Sequence, residues 1–344
     1  MSEQQTGRGE TVLELVDASV SFPGGSGGAF QAISGVSLEL RRGEVLGLVG
    51  ESGCGKSTTA RALMGLQPLT SGEVRLHGGA VPSGRRGFGA GVQAIFQNPA
   101  GSFNPKRSLL DSVAEPLRVW KRGDAATRRR QALAELARVG ISEAMAERRP
   151  SEVSGGQCQR AAIARATILR PEVLICDEPV SALDVSVQAQ ILELLDQLRG
   201  EQGLAMLFIS HDLSVVATLC DRTAVMYAGT IVEEGETIEV AHAPRHPYTA
   251  ILHDAVPSPT GQDGGRTRLE MVTRDRTVDG REQPGCRFAA LCPFFTAECD
   301  QAQPPLRGAG HRTACIRPLD HSGAVTGGRE TAAQPGRDDA VGCQ

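Results

Sequence analysis

Three short stretches of the chain are apolar at nearly every position. They occupy residues 44–49, 173–176 and 205–210. Runs of this length without polar alternation are typical of strands that are buried on both faces of a parallel sheet. The pattern therefore predicts an α/β fold with a central sheet that is covered on both sides.

Helical patterns separate these runs. Residues 58–64 are rich in helix formers and precede Gly65, and residues 107–149 are charged and helical with a stop at Gly140. The second stretch predicts an inserted helical subdomain. A later helix is predicted to end at Gly200. The apolar faces contain Leu133, Leu136 and Val139 in the subdomain, and Val187, Ile191, Leu194, Leu195 and Leu198 in the later helix.

The first apolar run leads into a glycine-rich loop with the spacing GxxxxGK[ST], followed by a predicted helix. In such a loop, backbone N–H groups surround phosphate oxygens and the helix N-terminus adds positive potential. Lys56 would reach the β- and γ-phosphates, and the Ser57 hydroxyl would ligate Mg²⁺. The predicted nucleotide-binding residues are Gly50, Glu51, Ser52, Gly53, Cys54, Gly55, Lys56, Ser57 and Thr58.

Alternating patterns precede this loop, at residues 11–22 and 32–40, with a Gly-rich connection at 23–28. Two such strands ahead of a nucleotide loop predict a small antiparallel β subdomain over the base and ribose. An aromatic ring there can stack on adenine. Phe22 is the first candidate and Phe30 the second, with core packing of either ring as the alternative.

Two adjacent carboxylates, Asp177 and Glu178, follow the second apolar run. Ligands of open α/β sheets bind at the carboxyl ends of the strands, and packing rarely places carboxylates there because their burial costs free energy. Asp177 suits a contact with Mg²⁺, and Glu178 suits orienting or deprotonating a water molecule. Gln97 leaves a strand-like stretch at residues 72–96, so its amide oxygen can reach a metal or a water.

A second anion site is predicted at residues 154–157, Ser-Gly-Gly-Gln, where Ser154 can cap a helix and the glycines expose N–H groups. A simply capped helix has the same pattern. Residues 181–184 form a tight loop before the next helix. His211 follows the third apolar run and could sense the γ-phosphate, with a structural role as the alternative, and Asp212 can cap the helix after it.

Composition narrows the possible functions. The chain has 344 residues, a net charge of −4 and 3% aromatic residues, which argues against a nucleic-acid partner. Its start is polar, and no apolar run approaches the roughly 20 residues that span a bilayer. We therefore expect a cytoplasmic protein that associates with membranes through partners.

Four of the nine cysteines cluster near the C-terminus with the spacing C-x5-C-x6-C-x15-C. In a cytosolic protein, such a cluster indicates free thiols or a metal site rather than disulfides. Zinc sites prefer closer pairs, whereas a Cys₄ iron–sulfur cluster tolerates wider spacing. The spacing alone leaves three alternatives open, which are an iron–sulfur cluster, a zinc site and unliganded thiols. The cysteines are Cys286, Cys292, Cys299 and Cys315.

Taken together, these motifs resemble those of the ATP-binding subunits of ABC transporters, over about residues 11–320. The glycine-rich loop looks like Walker A, residues 154–157 like the ABC signature, 173–178 like Walker B and 181–184, ending at Asp184, like the D-loop. Gln97 falls at the Q-loop and His211 at the switch histidine. Three stretches are typical of the oligopeptide, dipeptide and nickel importer branch. They are residues 96–105, which contain Asn-Pro twice (98–99 and 104–105), residues 180–188, and His246-Pro247-Tyr248-Thr249.

This resemblance implies a P-loop ATPase (RecA-like) core with an antiparallel β subdomain, an inserted helical subdomain at about 98–165 and a small loop-rich C-terminal extension. The implied boundaries are 11–258 for the ATPase domain and 259–320 for the extension, with a disordered tail at 321–344. The chain departs from the family pattern at two positions. Val153 stands where many members carry Leu, and Cys158 stands where many carry Arg. Neither removes a phosphate-contacting group.

The resemblance also implies roles for the site residues. Lys56 and the loop amides hold phosphates; Ser57, Gln97 and Asp177 arrange Mg²⁺; Glu178 is the general base; and His211 contacts the γ-phosphate. The signature, with Ser154, Gly155, Gly156 and Gln157, and the D-loop Asp184 complete the ATP site of a partner subunit. Some peptide-importer ATPases carry a [4Fe–4S] cluster in the extension, so we expect one at the four cysteines, although Leu291 replaces the usual Arg.

The implied partners are a second ABC ATPase in a head-to-tail dimer, two integral membrane permease subunits and an extracytoplasmic substrate-binding protein. The branch often pairs two different ATPases, so a heterodimer is expected, with a second copy as the alternative. The expected activity is ATP hydrolysis coupled to peptide uptake at the cytoplasmic face of the membrane. A soluble ABC ATPase of repair or translation is the alternative, as is import of nickel or another small solute.

Overall fold

The structure is a computed structural model that describes residues 9–24, 28–81, 88–254, 271–272, 285–320 and 323–325. Most of the expected tail and the start of the expected extension lie outside these residues. In chain order, the strands are β1 (Thr11–Pro23), β2 (Ala29–Arg41), β3 (Val45–Val49), β4 (Ser71–Leu76), β5 (Gly79–Ala80), β6 (Val92–Ile95), β7 (Val173–Asp177), β8 (Ala205–Ser210), β9 (Arg222–Tyr227), β10 (Thr230–Glu236) and β11 (Arg312–Thr313). The helices are α1 (Lys56–Leu63), α2 (Leu109–Val119), α3 (Ala125–Arg138), α4 (Glu143–Ala146), α5 (Gly155–Thr167), α6 (Val185–Gln202), α7 (Leu213–Leu219), α8 (Thr237–His242) and α9 (Pro247–Asp254).

A seven-stranded sheet with the order β11-β10-β9-β3-β8-β7-β6 forms the centre of the protein. The strands from β9 to β6 pair in parallel, whereas β10 and β11 add to the edge in antiparallel fashion. The carboxyl ends of β3, β7 and β8 therefore lie next to one another. Each delivers one of the motifs identified above, which is where an open α/β sheet binds its ligands.

Strand β3 explains why the apolar runs lack polar alternation. Val45 and Val49 face a core formed with the helices, while Leu46 and Leu48 face a second core formed with the antiparallel strands. All of its residues are buried. Because side chains alternate between the two faces of a strand, burial of both faces demands an apolar residue at every position.

The antiparallel β subdomain is confirmed. Its sheet has the order β2-β1-β4-β5, and β1 and β2 form a long hairpin in which Phe22 lies opposite Phe30. The inner positions of this hairpin, including Leu13, Leu15 and Ile33, are buried against the central sheet. The hairpin thus covers one face of the nucleotide-binding core.

Helices α2 to α4 lie in the stretch 107–149 that was predicted to be helical, and α5, which follows this stretch, packs against α2 and α3. Side-chain caps start α2 and α3, where Ser108 Oγ accepts from the N–H of Asp111 at 3.1 Å and Asp124 Oδ1 from the N–H of Thr127 at 2.8 Å. Gly140 ends this stretch with a positive φ of 80°, as predicted.

The predicted end of α6 at Gly200 is wrong. The helix continues to Gln202, and Gly203 ends it with a φ of 64° and an N–H that donates to the carbonyl of Arg199 at 2.8 Å. A glycine inside a helix costs only about 1 kcal/mol. Glu201 accepts from Gln197 Nε2 at 2.7 Å and pairs with Arg138, and these contacts hold the turn that follows Gly200.

The C-terminal residues 285–320 pack onto the edge of the central sheet. Strand β11 pairs with β10 through Glu233 and Glu234, and Phe288 joins a core with Val225, Val232 and Tyr248. The described part of this segment is loop-rich, as expected. Among the residues that the structure describes, no helix has the length and apolar character needed to cross a membrane.

Candidate nucleotide-binding site

The glycine-rich loop at residues 50–57, the phosphate loop, connects the buried strand β3 to α1. Gly55 caps the helix with a φ of 112°, a conformation that glycine adopts without strain. Lys56 is buried and donates from Nζ to the carbonyls of Gly50 at 2.7 Å and Glu51 at 2.9 Å. Its charge is therefore held inside the loop, where the phosphates of a nucleotide would bind.

Ser57 and Asp177 meet across the sheet. The Ser57 hydroxyl donates to Asp177 Oδ1 at 3.1 Å, although the two residues are far apart in the chain. Asp177 is buried, and this burial raises the pKa of its carboxyl group. A hydroxyl and a carboxylate at this spacing are oxygen ligands of the kind that Mg²⁺ takes, and a divalent cation would stabilise the ionised carboxylate. The residues present thus fit a magnesium ion.

Glu178, Gln97 and His211 converge at the same edge. Gln97 Nε2 donates to Glu178 Oε2 at 3.0 Å, and His211 Nδ1 lies 3.6 Å from the same oxygen. Gln97 thus uses its amide nitrogen here, rather than the oxygen expected to face a metal or a water. Glu178 has a positive φ of 48°, a strained conformation that is frequent at functional sites. The structure therefore brings together all three residues that were predicted from separate parts of the chain.

Residues 154–157 begin α5 as predicted, with reciprocal capping. Ser154 Oγ accepts from the N–H of Gln157 at 3.3 Å, and Gln157 Oε1 accepts from the N–H of Ser154 at 2.9 Å. Ser154 and Gly155 are exposed. A Cβ at Gly156 would lie 2.7 Å from Val187 Cγ1, so glycine there allows α5 to approach α6 closely.

The D-loop residue Asp184 caps α6. Its Oδ1 accepts from the N–H of Val187 at 3.0 Å and from the Ser186 hydroxyl at 2.7 Å, and these hydrogen bonds lower the pKa of its carboxyl group. Because Val187 also contacts Gly156, the D-loop and the signature lie side by side. The two departures from the family pattern are accommodated, since Cys158 is buried and Val153 packs against the core.

The two candidate aromatics for adenine are exposed. Phe22 is 37% exposed and Phe30 is 61% exposed, and they lie opposite each other near the tip of the β1–β2 hairpin. The alternative that either ring packs in the core is therefore wrong. Both rings remain available for stacking, and the choice between them stays a prediction.

The four C-terminal cysteines lie around one small cavity of about 20 Å³, a volume that holds about one water molecule. Within the described part of the chain, no group of three or more His, Cys, Asp or Glu side chains could hold a metal ion. Burial raises the pKa of the Cys286 thiol and raises that of the Cys315 thiol to about 12. The prediction of a [4Fe–4S] cluster at Cys286, Cys292, Cys299 and Cys315 is therefore wrong.

The cysteines cluster for a different reason. Cys292 is buried in the core that contains Phe288 and Tyr248, and Cys286 packs against the same core. Buried cysteine behaves as a small apolar residue, so a compact loop-rich segment can use it for packing. For Cys286 and Cys292, clustering in the sequence therefore reflects packing in a shared core.

One contact with the phosphate loop was missed by the sequence analysis. The N–H of Glu51 donates to the hydroxyl of Tyr248 at 3.1 Å, and Tyr248 is fully buried. The stretch His246-Pro247-Tyr248-Thr249 was noted only as typical of a family branch. A tyrosine that is buried with its polar hydroxyl requires a hydrogen-bond partner, but the sequence does not say which group supplies it.

Comparison with protein families matches residues 33–181 to the model described as "ABC transporter". Residues 232–299 match the model described as "Oligopeptide/dipeptide transporter, C-terminal region". The two models cover the phosphate loop, the carboxylates of β7 and the first part, up to residue 299, of the segment that packs on the sheet edge.

Curated relatives cover nearly the whole chain. The chain is 42% identical over 322 residues to the oligopeptide transport ATP-binding protein OppF of Escherichia coli. The matched region covers 90% of this chain and 96% of the relative. It is 40% identical to the oligopeptide transport ATP-binding protein AppF of Bacillus subtilis, over 89% of this chain and 97% of the relative. The dipeptide transport ATP-binding protein DppF of Escherichia coli is 40% identical, over 92% of this chain and 97% of the relative. All these names describe transport ATP-binding proteins, and none mentions an iron–sulfur centre.

Solved structures resemble the core. The ATP-binding cassette MJ0796, in a dimeric post-hydrolysis state with bound ADP and phosphate, matches with a TM-score of 0.60 and 28% identity, covering 65% of this chain and 98% of the cassette. CbiO1 of Clostridium perfringens, part of an ABC transporter complex, also has a TM-score of 0.60, with 27% identity over 67% of this chain and 90% of that chain. The P-loop ATPase fold is thereby confirmed.

Proposed function

Because this chain belongs to the oligopeptide and dipeptide branch of the ABC-transporter ATP-binding subunits, we propose that it is the ATP-hydrolysing motor of a peptide importer. The observation that carries the proposal is the meeting of four strand ends, those of β3, β6, β7 and β8, at one site. There, Ser57 contacts Asp177, and Gln97 and His211 lie against Glu178.

In the proposed mechanism, Lys56 and the phosphate-loop amides hold the phosphates of ATP. Glu178 takes the proton of the attacking water, and His211 contacts the γ-phosphate. The support is geometric, because both side chains lie at the carboxyl edge that also carries the phosphate loop. The hydrogen bond from Gln97 orients the Glu178 carboxylate, so the base has a defined direction before the nucleotide binds.

Ser57 and Asp177, together with Gln97, would hold Mg²⁺. When bound, the ion would neutralise negative charge on the phosphate oxygens. The chain's own contribution is to fix two oxygen ligands beside the phosphate loop, since the Ser57 hydroxyl and the Asp177 carboxylate already contact each other. Gln97 would have to turn its amide oxygen from its present hydrogen bond toward the site.

The signature acts on a partner's nucleotide in this proposal. The signature is formed by Ser154, Gly155, Gly156 and Gln157. Ser154 and Gly155 are exposed and the other two are half-buried, and this helix start lies beside the Asp184 loop, so both can face a second ATPase subunit together. Two bound ATP molecules would then join the subunits head to tail, and hydrolysis would release them. The dimeric cassette MJ0796 is an assembly of the same fold. We further propose that the partner is a different ATPase.

The remaining partners are two permease subunits in the membrane and an extracytoplasmic substrate-binding protein that delivers the peptide. The chain would lie at the cytoplasmic face and contact the permeases through the loop that follows Gln97. Support comes from the exposure of this loop, in which Asn98 and Ala100 are exposed, and of Phe96 just before Gln97, whose side chain is 38% exposed. An exposed aromatic residue is a common anchor in protein interfaces.

Purification from detergent-solubilised membranes tests the proposal. A tagged form of the full chain should recover two integral membrane proteins and a second ATPase, and peptide-loaded binding protein should stimulate ATP hydrolysis by the complex. Recovery with ribosomes or DNA-repair proteins and without membrane subunits would favour the soluble ATPase alternative. Stimulation by nickel and not by peptides would overturn the peptide cargo.

A further inference from the structure

The Gly50–Glu51 peptide unit of the phosphate loop is held from both sides. Its carbonyl, on Gly50, accepts from Lys56 Nζ at 2.7 Å, and its N–H, on Glu51, donates to the hydroxyl of Tyr248 at 3.1 Å. In a planar trans peptide, the carbonyl and the N–H point in opposite directions. Hydrogen bonds at both ends therefore fix the rotation of the whole unit.

Tyr248 is itself rigidly placed. Its side chain is fully buried and packs against the ring of Tyr227, with centroids 4.6 Å apart, and against the ring of Phe288 at 5.6 Å. Its own N–H donates to His246 Nδ1 at 3.1 Å. The hydroxyl position is thus set by close-packed aromatic rings, which have few alternative arrangements.

Phe288 belongs to the C-terminal segment, so this segment reaches the phosphate loop through Tyr248. A second route runs through Arg287, whose Nη1 donates to the carbonyl of Ala228 at 2.6 Å. The next residue, Gly229, donates from its N–H to the carbonyl of Cys54 in the loop at 2.8 Å. The loop is therefore supported from behind by groups that the segment holds in place.

We propose that Tyr248 is a positioning residue that preorganises the phosphate loop for ATP through its hydrogen bond to Glu51. The hydroxyl does not contact the nucleotide in this assignment. It prevents the Gly50–Glu51 peptide from turning, so ATP binds a loop that is already ordered and does not have to order it. The inference rests on nucleotide binding at this loop, but not on peptides as the cargo.

The test compares Tyr248→Phe with Tyr227→Phe in the full chain assembled with its subunits. Tyr248→Phe keeps the ring and its packing but leaves the Glu51 N–H without its acceptor, a loss that corresponds to roughly a 5- to 30-fold change in an equilibrium. We expect the Kd and KM for ATP to rise by about that factor and ADP affinity to fall equally. The kcat at saturating ATP should stay within about twofold. Tyr227→Phe removes a hydroxyl from the adjacent ring and should leave the affinity unchanged.

The Kd is measured by titrating nucleotide and fitting stoichiometry separately. Partial misfolding lowers the binding-competent fraction and not the affinity of the molecules that bind, so the test remains decisive if the variant is unstable. A residue with a purely structural role would change the fitted stoichiometry and Tm at constant Kd. That result, or an equal loss of affinity in Tyr227→Phe, would overturn the inference.

Discussion

Replacing Glu178 by Gln tests the assigned base with the smallest change in shape. The side chain keeps its size, and Gln97 Nε2, now 3.0 Å from Glu178 Oε2, can donate to the new amide oxygen. Burial and packing at the end of β7 are preserved. What the variant loses is the ability to accept a proton from water.

Loss of a general base lowers turnover by about 10²–10⁴, which corresponds to about 3–5 kcal/mol in the activation barrier. The Ser57–Asp177 contact and the Lys56 contacts do not involve the changed group. ATP affinity should therefore change by less than about threefold, and ATP should remain bound between two subunits for longer than in the unchanged protein.

The assay is steady-state ATP hydrolysis by the assembled complex, together with measurement of trapped nucleotide after gel filtration. Glu172→Gln is the matched control, because it makes the same chemical change just before the other end of β7, where Glu172 is exposed and pairs with Arg42 and His77. The control should hydrolyse ATP normally. Hydrolysis by Glu178→Gln within about threefold of the unchanged complex would refute the role of Glu178.

Three further predictions concern neighbouring groups. Lys56→Ala should lower ATP affinity by tenfold or more by titration, since charged hydrogen bonds contribute about 1.5–3 kcal/mol each, while assembly with the membrane subunits survives. Phe22→Ala and Phe30→Ala should differ in ATP affinity. Loss of the stacking ring should weaken binding by about 5- to 150-fold, which corresponds to the roughly 1–3 kcal/mol of base stacking. If both variants bind ATP as tightly as the unchanged protein, neither ring stacks on adenine. Burial lowers the pKa of His246 to about 4. Between pH 6.5 and 4 the unfolded state therefore binds more protons than the folded state. The free energy of unfolding should fall by up to about 3 kcal/mol as the pH drops through that window. His246→Asn, which can still accept from the Tyr248 N–H, should flatten this fall in denaturant titrations.

The parts of the fold that local patterns encode were predictable. Strand β3 is apolar throughout because both of its faces are buried, and Asp177 and Glu178 stand at a strand end because ligands bind there. Their convergence with Gln97 and His211 followed from the rule that parallel strands share one carboxyl edge.

Features that depend on tertiary packing were not predictable. The hydrogen bond between Glu51 and Tyr248 joins residues 197 positions apart, and no local pattern connects them. Helix α6 continues past Gly200, where Glu201 contacts Gln197 and Arg138, and no local pattern showed the contact with Arg138. The cysteine spacing did not reveal that Cys292 packs in an apolar core.

In the proposed function, ATP hydrolysis at this site drives peptide uptake. Its most direct test uses vesicles that contain the complete complex, with ATP on the side of this chain and a labelled peptide with its binding protein on the other. We predict peptide accumulation that needs ATP, stops when a non-hydrolysable analogue replaces ATP, and is lost in Glu178→Gln but retained in Glu172→Gln. Accumulation that continues with the analogue, or ATP hydrolysis by the intact complex without any peptide movement, would show that hydrolysis at this site does not drive peptide uptake.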